Sequence, residues 1–254
     1  ATVRGVRCAF LPRHGRHHIF TPSEVNYRAN IFALKTLGVK YIISITAVGS
    51  LDEDYKPGDL AVADQLIDKT YAREATFFGK GIVGHVPFCF PFTPELRTIV
   101  ISAIKAALPD CRVHEKGTLV TMEGPAFSTK AESKLNKHQG AHLIGMTTST
   151  EAKLAREAEI AYAAVSMVTD TDSWSDEPHV DVDTVMRTLH ENSSKAQVYP
   201  PAIIEAIGKA HSEGFTCEAF SALEFAIMTH PEAIPEERKK ALAPLIGRLK
   251  RFQQ

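Results

Sequence analysis

Five short segments of the sequence hold residues whose types and spacing suit chemistry. The first, Arg13-His14-Gly15-Arg16-His17-His18, packs cations and imidazoles into one stretch. Guanidinium pairs bidentately with phosphate and imidazole adds a donor, so this segment reads either as an oxyanion site or as a solvated basic loop. Zinc is disfavoured, because adjacent histidines lack the helical His-x-x-x-His spacing and no Cys or Glu partner adjoins them. Thr46-Ala47-Val48-Gly49-Ser50 is small and polar, and its N–H groups and Thr hydroxyl can cradle an anion. It matches neither the nucleotide P-loop nor GxGxxG, which argues against nucleoside triphosphates and dinucleotides. Glu123-Gly124-Pro125-Ala126-Phe127-Ser128 carries an aromatic ring that can stack on a planar base or fill the core. Thr147 and Thr148 follow an apolar run. Thr148 with Glu151 fits a capping box, leaving Thr147 for a ligand. Asp170 and Asp172 follow another apolar run, and the acids continue through Asp176, Glu177, Asp181 and Asp183. Those near Asp181 and Asp183 suit a helix N-terminus. The spacing fits no EF-hand. The two acids nearest the strand end are the better placed carboxylates.

Strands and helices must hold these segments in place. Residues 8–11 read as a strand leading into the basic loop. Thr21-Pro22-Ser23-Glu24 offers a capping box for a helix whose Tyr27, Ile31 and Leu34 share a face and which Gly38 stops. Residues 41–46 form a β-branched run typical of a strand buried on both faces, ending in a tight turn at 47–50. Further strands are expected at 60–67, 118–122, 142–146 and 160–169, with helices opening at Thr93-Pro94-Glu95 and spanning 130–138 and 149–159. Val182, Val185, Met186 and Leu189 mark a long helix that Pro200-Pro201 should interrupt, and 235–252 reads as a charged terminal helix. Alternating strands and helices, with no repeat or linker, predict one α/β domain over residues 1–254, with a central mixed β-sheet flanked by helices.

The composition is consistent with a local, small ligand. Lys and Arg total 29 against 30 Asp and Glu, so no overall field favours nucleic acid or an acidic membrane. No apolar run approaches the roughly 20 residues of a spanning helix. Cys8, Cys89, Cys111 and Cys217 form no CxxC pair, which suits a reducing cytoplasmic or nuclear compartment.

In chain order, Arg13-His14-Gly15, Thr46 to Ser50, Glu123 to Phe127, Met146-Thr147-Thr148 and Thr169-Asp170-Thr171-Asp172 form a set. It resembles the motif set of eukaryotic-type methylthioadenosine phosphorylases, within the trimeric purine nucleoside phosphorylase family, over about residues 6–197. The resemblance implies that phosphate is held by Arg13, His14, Thr46, the Ala47 N–H and Thr147. Phe127, Thr169, Asp170 and Asp172 would hold the purine, and Met146 would lie against the ribose. Val182 and Met186 would form an apolar pocket for the 5′-methylthio group, with His18 lining the region and His85 arriving from a neighbouring subunit of a homotrimer. Asp170 would protonate N7, its carboxyl raised by burial and by Asp172 and titrating with it as a pair. Asp172 would accept from the exocyclic amine. No metal or organic cofactor is implied, inorganic phosphate being a co-substrate.

Phosphorylases for 6-oxopurines resemble this chain but place Glu after the motif's Phe and Asn at the position of Asp170. Ser128 and Asp170 therefore favour adenine-type bases, with a 6-oxopurine enzyme as the alternative. Family members begin with a segment like Gly-Gly-Thr-Gly or Gly-Gly-Ser-Gly that helps grip phosphate. This sequence starts after it, so the expectation is a missing N-terminal strand and phosphate loop. A catalytically weak purine-binding subunit is the reading from a different class. Gly145, where relatives often carry Asn, is a second departure, bearing on ribose contacts.

Overall fold

The computed structural model describes residues 1–175 and 182–252. The chain opens with a hairpin, β1 (Thr2–Val3) and β2 (Val6–Arg7), and runs through irregular backbone to α1 (Tyr27–Thr36). Next come β3 (Tyr41–Ser50), β4 (Leu60–Ala61), β5 (Gln65–Asp68), α2 (Pro94–Ala107), β6 (Val113–His114) and β7 (Thr118–Thr121). They are followed by α3 (Lys130–His138), β8 (Leu143–Gly145), α4 (Thr148–Glu157) and β9 (Ala161–Asp170). After a 3-10 turn at Asp172–Trp174, the chain ends with α5 (Val182–Glu191), α6 (Ser193–Ser212), α7 (Glu236–Ala241) and α8 (Ala243–Ile246).

Seven strands form one mixed sheet in the order β5-β7-β8-β3-β9-β4-β6. Its centre is the parallel pair β3 and β9, in register from Tyr41 opposite Ala161 to Val48 opposite Val168. Every residue of β9 is buried, the condition under which a strand reads as an uninterrupted apolar run. Its side chains alternate. Ala161, Ala163, Val165 and Met167 share a core with Leu96, Val100, Tyr199 and Ile203 of α2 and α6, whereas Tyr162, Ala164 and Val168 pack with residues of α1 and α4. Ser44, Thr46 and Val48, in register with Ala164, Ser166 and Val168, therefore point to the α1 and α4 side.

Only three residues separate β4 from β5, although these strands lie near opposite edges of the sheet. Four Cα steps reach about 14 Å, whereas five strand spacings in a flat sheet need about 24 Å. The sheet must therefore curl strongly, and the expected single strand at 60–67 splits because its halves serve opposite edges.

Other elements also depart from the sequence reading. Residues 8–11 find no strand partner, and Phe10 and Leu11 are exposed. The expected turn at 47–50 is the end of β3, where a register shift at Val48/Gly49 replaces a reversal. Only half of the Thr21–Glu24 box forms: the Glu24 carboxylate accepts from the Thr21 N–H and hydroxyl, but the Glu24 N–H goes to the Thr21 carbonyl, and α1 begins only at Tyr27. Tyr27 pins the intervening loop by donating its hydroxyl to the Pro22 carbonyl. The late helix breaks at Asn192, not at Pro200-Pro201, because Tyr199, Ile203 and Ile207 are buried against α2 and β9 and packing carries α6 through the prolines. The terminal segment is two short helices and a 3-10 turn.

Candidate functional site

The carboxyl end of β3 is the anchor of the site. β8 pairs with β3 only at Gly49 and Ser50, so upstream of Gly49 the edge of β3 facing away from β9 has no strand partner. Arg13 lies along that edge: its guanidinium donates to the Ile45 carbonyl at 3.3 and 3.4 Å and to the Ser44 hydroxyl. The N–H and C=O of one strand residue point the same way, and residues two apart share an edge. The Ala47 N–H is thus directed to the edge that Arg13 occupies.

Glu151 holds Arg13 there. Its Oε1 accepts from Arg13 Nε at 2.7 Å, while Oε2 accepts from the Ser44 and Tyr162 hydroxyls, each at 2.9 Å. Burial works against the Arg13 charge, but the Glu151 carboxylate beside it more than compensates and raises its pKa. Burial and then the same carboxylate push the Tyr162 hydroxyl well above the usual phenol range. The expected capping box of Thr148 with Glu151 is therefore not made. Glu151 turns inward, and the Thr148 hydroxyl is buried without a partner. The N-cap of α4 is Thr147, with no side-chain cap bond of its own, and the helix start is tied to β7 instead, the Ser149 N–H donating to the Thr121 hydroxyl at 3.2 Å. Gly145 faces Val48, where an added Cβ would lie 3.4 Å from Val48 Cγ1, and the chain leaves the sheet there through Met146 and Thr147 into α4. Arg13, Thr46 and Ala47 thus share one stretch of β3, and Glu151 ties Arg13 to the helix that Thr147 opens. His14 adjoins them, its Nδ1 bonded to the Phe20 carbonyl at 2.9 Å and its ring stacked on His18 at 4.4 Å. Burial lowers its pKa, keeping the imidazole neutral over a wider range.

The two carboxylates meet over Gly49. A Cβ there would lie 2.8 Å from Asp170 Oδ1 and 3.3 Å from Asp172 Cβ, so only glycine fits beneath the pair. Asp170 Oδ2 accepts from the Thr169 hydroxyl at 2.7 Å and Oδ1 from the Asp172 N–H at 2.9 Å. Asp172 accepts from the Ser133 hydroxyl of α3. Burial most of all, and then the Asp170 charge, raise the Asp172 carboxyl, against hydrogen bonds from Ser133, Ser173 and Ser128. Trp174 fixes the following turn by donating to the Ser50 carbonyl at 2.8 Å.

Phe127 stands 41% exposed, so it is not core filling. Met146 packs under Gly124 and beside Pro22, both within 3.4 Å of where a Gly124 Cβ would sit. Val182 and Met186 lie exposed one turn apart on α5. His85 is also exposed, its N–H bonded to the Ala226 carbonyl on a separate patch. Asp176, Glu177 and Asp181 fall outside the described residues. Among the described residues no cluster of His, Cys, Asp and Glu could hold a metal, and no helix is long and apolar enough to cross a membrane. A cleft of about 360 Å³ bordered by Asp52, Glu53, Asp54 and Lys137 contains none of the candidate residues, and convergent chemistry, not concavity, locates the site.

Sequence reasoning missed Arg73, Glu123 and Ser133. Arg73, in the loop after β5, has a side chain only 2% exposed and donates to the Glu123 carbonyl at 2.7 Å and to the Met146 carbonyl. Burial alone would raise Glu123, but donors from Ser23 and the Tyr71 and Ala72 N–H groups, with Arg73, bring its carboxyl below the usual range. No spacing in the sequence marks these residues. The one signal was Glu123 opening a candidate segment.

Residues 2–205 match the phosphorylase superfamily, and the chain belongs to that family. It is 51% identical to the S-methyl-5′-thioadenosine phosphorylase of Chloroflexus aurantiacus and 45% identical to that of Gloeobacter violaceus. Both alignments span 97% of this chain, with 84% and 83% of those proteins. A methylthioadenosine phosphorylase from an antarctic soil metagenomic library superposes with TM-score 0.87 at 48% identity, over 95% of this chain and 84% of that one. A methylthioadenosine phosphorylase from Schistosoma mansoni in complex with adenine gives 0.74 at 40%, over 81% and 78%.

Proposed function

We propose that the protein cleaves S-methyl-5′-thioadenosine with inorganic phosphate, releasing adenine and 5-methylthioribose 1-phosphate. The observation that carries this is the shared name of relatives about half identical over nearly the whole chain. The site chemistry is consistent with it. Phosphate, held by Arg13, His14, Thr46, the Ala47 N–H and Thr147, is itself the nucleophile. Its oxygen bonds to C1′ as the C1′–N9 bond breaks, and its charge stabilises the oxocarbenium-like state between. The bond's electrons pass into the purine, and a proton from Asp170 at N7 neutralises the departing base. Phe127 stacks on the purine and Asp172 accepts from the exocyclic amine. Met146 backs the ribose, while His18, Val182 and Met186 border the 5′ substituent. Ser128 and Asp170 together suit a 6-amino base. In this reading the reaction draws on no metal or organic cofactor.

The working form is a homotrimer in which the neighbour's His85 segment closes each site. Ile19, Phe20, Tyr71 and Phe127 are exposed on the site side, and Val83, Phe225 and Met228 beside His85. Two distinct apolar patches meeting head to tail give a heterologous contact that a ring closes. The four widely spaced free cysteines fit the cytoplasm or nucleus.

The test is adenine release from methylthioadenosine with and without phosphate, followed by chromatography, on a sample sized by sedimentation. Phosphate-dependent release by a trimer is expected. Equal release without phosphate would make the chain a hydrolase and end the proposal.

A further inference from the structure

Arg73 is given no contact with substrate, yet it joins three walls of the site. Its Nη2 donates to the carbonyls of Glu123 (2.7 Å) and Met122 (3.5 Å), which continue β7 toward Phe127 and Ser128. Its Nη1 donates to the Met146 carbonyl, which leads from β8 into Thr147, and to the Tyr27 hydroxyl at 3.4 Å. Its Nε reaches the Ser23 hydroxyl at 3.4 Å and the Glu123 carboxylate at 3.5 Å. Glu123 in turn receives the Tyr71 N–H at 2.8 Å and the Ala72 N–H at 3.4 Å, from the loop that carries Arg73. The clamp is reciprocal: the arginine gathers two strand ends, and the carboxylate of one of them fixes the arginine's loop.

Burying such a pair brings little net stability over apolar packing, since both charges lose their hydration. What a planar fork offers, and an apolar side chain or a lysine does not, is several donors at fixed angles to carbonyls on separate segments. We propose that Arg73 is a positioning residue for the purine and ribose side of the site, setting the segment 123–128 that bears Phe127 against Met146. The proposal rests on the reading of this site as a purine nucleoside site. Because Arg13 and Glu151 fix the phosphate side separately, losing the fork should affect the two co-substrates unequally.

The experiment compares wild type, Arg73→Lys, Arg73→Met and Glu123→Gln as full chains. It measures adenine affinity by calorimetric titration, KM for methylthioadenosine and for phosphate, and thermal midpoint. A displacement of about 1 Å in a placed group costs on the order of 10²-fold. Both Arg73 variants should therefore weaken adenine binding and raise the nucleoside KM by roughly 10- to 100-fold, with the phosphate KM within about 3-fold of wild type. Glu123→Gln should shift the same parameters less. If Arg73→Met does not fold, Arg73→Lys and Glu123→Gln decide the matter. Folded variants with unchanged adenine affinity, or with both co-substrates weakened equally, would overturn the proposal. Wild-type protein that binds adenine without releasing any would refute the catalytic reading alone, and the titrations would still judge Arg73. Wild-type protein that binds no adenine would end both.

Discussion

Asp170→Asn separates catalysis from folding more cleanly than other substitutions at this site. The side chain is buried, and each oxygen already has one donor, the Asp172 N–H on Oδ1 and the Thr169 hydroxyl on Oδ2. An asparagine can turn its carbonyl to the Asp172 N–H and its amide to Thr169. The Thr169 hydroxyl then keeps its other acceptor, the Val48 carbonyl at 3.1 Å. One hydrogen bond is rearranged and no group is orphaned, so stability should change by about 1 kcal/mol or less. Chemistry should suffer far more. Asparagine has no acidic proton for N7, and loss of a general acid costs roughly 10²–10⁴-fold, or about 3–5 kcal/mol of barrier. For a 6-oxopurine nucleoside the amide can donate to N7, so that substrate should lose less or gain. The assay is kcat/KM for methylthioadenosine and methylthioinosine in wild type and variant, alongside thermal midpoints. A methylthioadenosine-to-methylthioinosine ratio unchanged by the substitution would refute the assignment, since Asp170 would then neither protonate nor select the base. A large drop in midpoint would refute the claim that the amide fits.

Two further outcomes follow from the buried charges. Glu151→Gln can keep an oxygen for the Ser44 and fully buried Tyr162 hydroxyls only by turning its amide N–H to the Arg13 Nε–H, and it removes the counter-charge of Arg13; breaking such a pair costs about 3 kcal/mol, so the thermal midpoint should fall by roughly 6–12 °C, and a fall under about 2 °C would show that Arg13 needs no anchor. Asp172→Asn should stabilise the fold increasingly as pH rises: burial raises the native carboxyl above its unfolded value, so the protein is favoured below the unfolded range and loses that stability as Asp172 ionises. The variant's midpoint relative to wild type should thus climb from acid toward neutral pH, and a pH-independent difference would remove Asp172 as the raised group.

Much of the fold could be read from the sequence because its elements have strong periodicities. The β9 run is broken by a single serine, Ser166, before its polar end, α3 carries a complete capping box at Thr129 and Glu132, and Thr93-Pro94 opens α2 where expected. The curl of the sheet could not be read, because it depends on β4 and β5 serving opposite edges, a pairing choice that no local pattern encodes. At the site the motif residues at 13, 46 and 47 could be read and lie along one stretch of β3. The inward turn of Glu151 could not, since its spacing from Thr148 fits a cap equally well and only the burial of Arg13 and Tyr162 decides between the two partners. Arg73 was hidden for a related reason. A lone arginine in a polar loop looks like surface charge until the carbonyls it faces are known.

The two buried arginines act on the same stretch of chain from opposite ends. Arg73 takes the Met146 carbonyl at its start, and Arg13 takes the Glu151 carboxylate five residues later. Between them lie Thr147 and the start of α4. A helix terminus held only by its own hydrogen bonds frays, because its first N–H groups lack partners. Here, side chains from separate segments hold the terminus in place from outside: besides the two arginines, the Thr121 hydroxyl of β7 accepts the Ser149 N–H at 3.2 Å. Donors oriented in advance of a ligand lower a barrier without any new contact in the transition state.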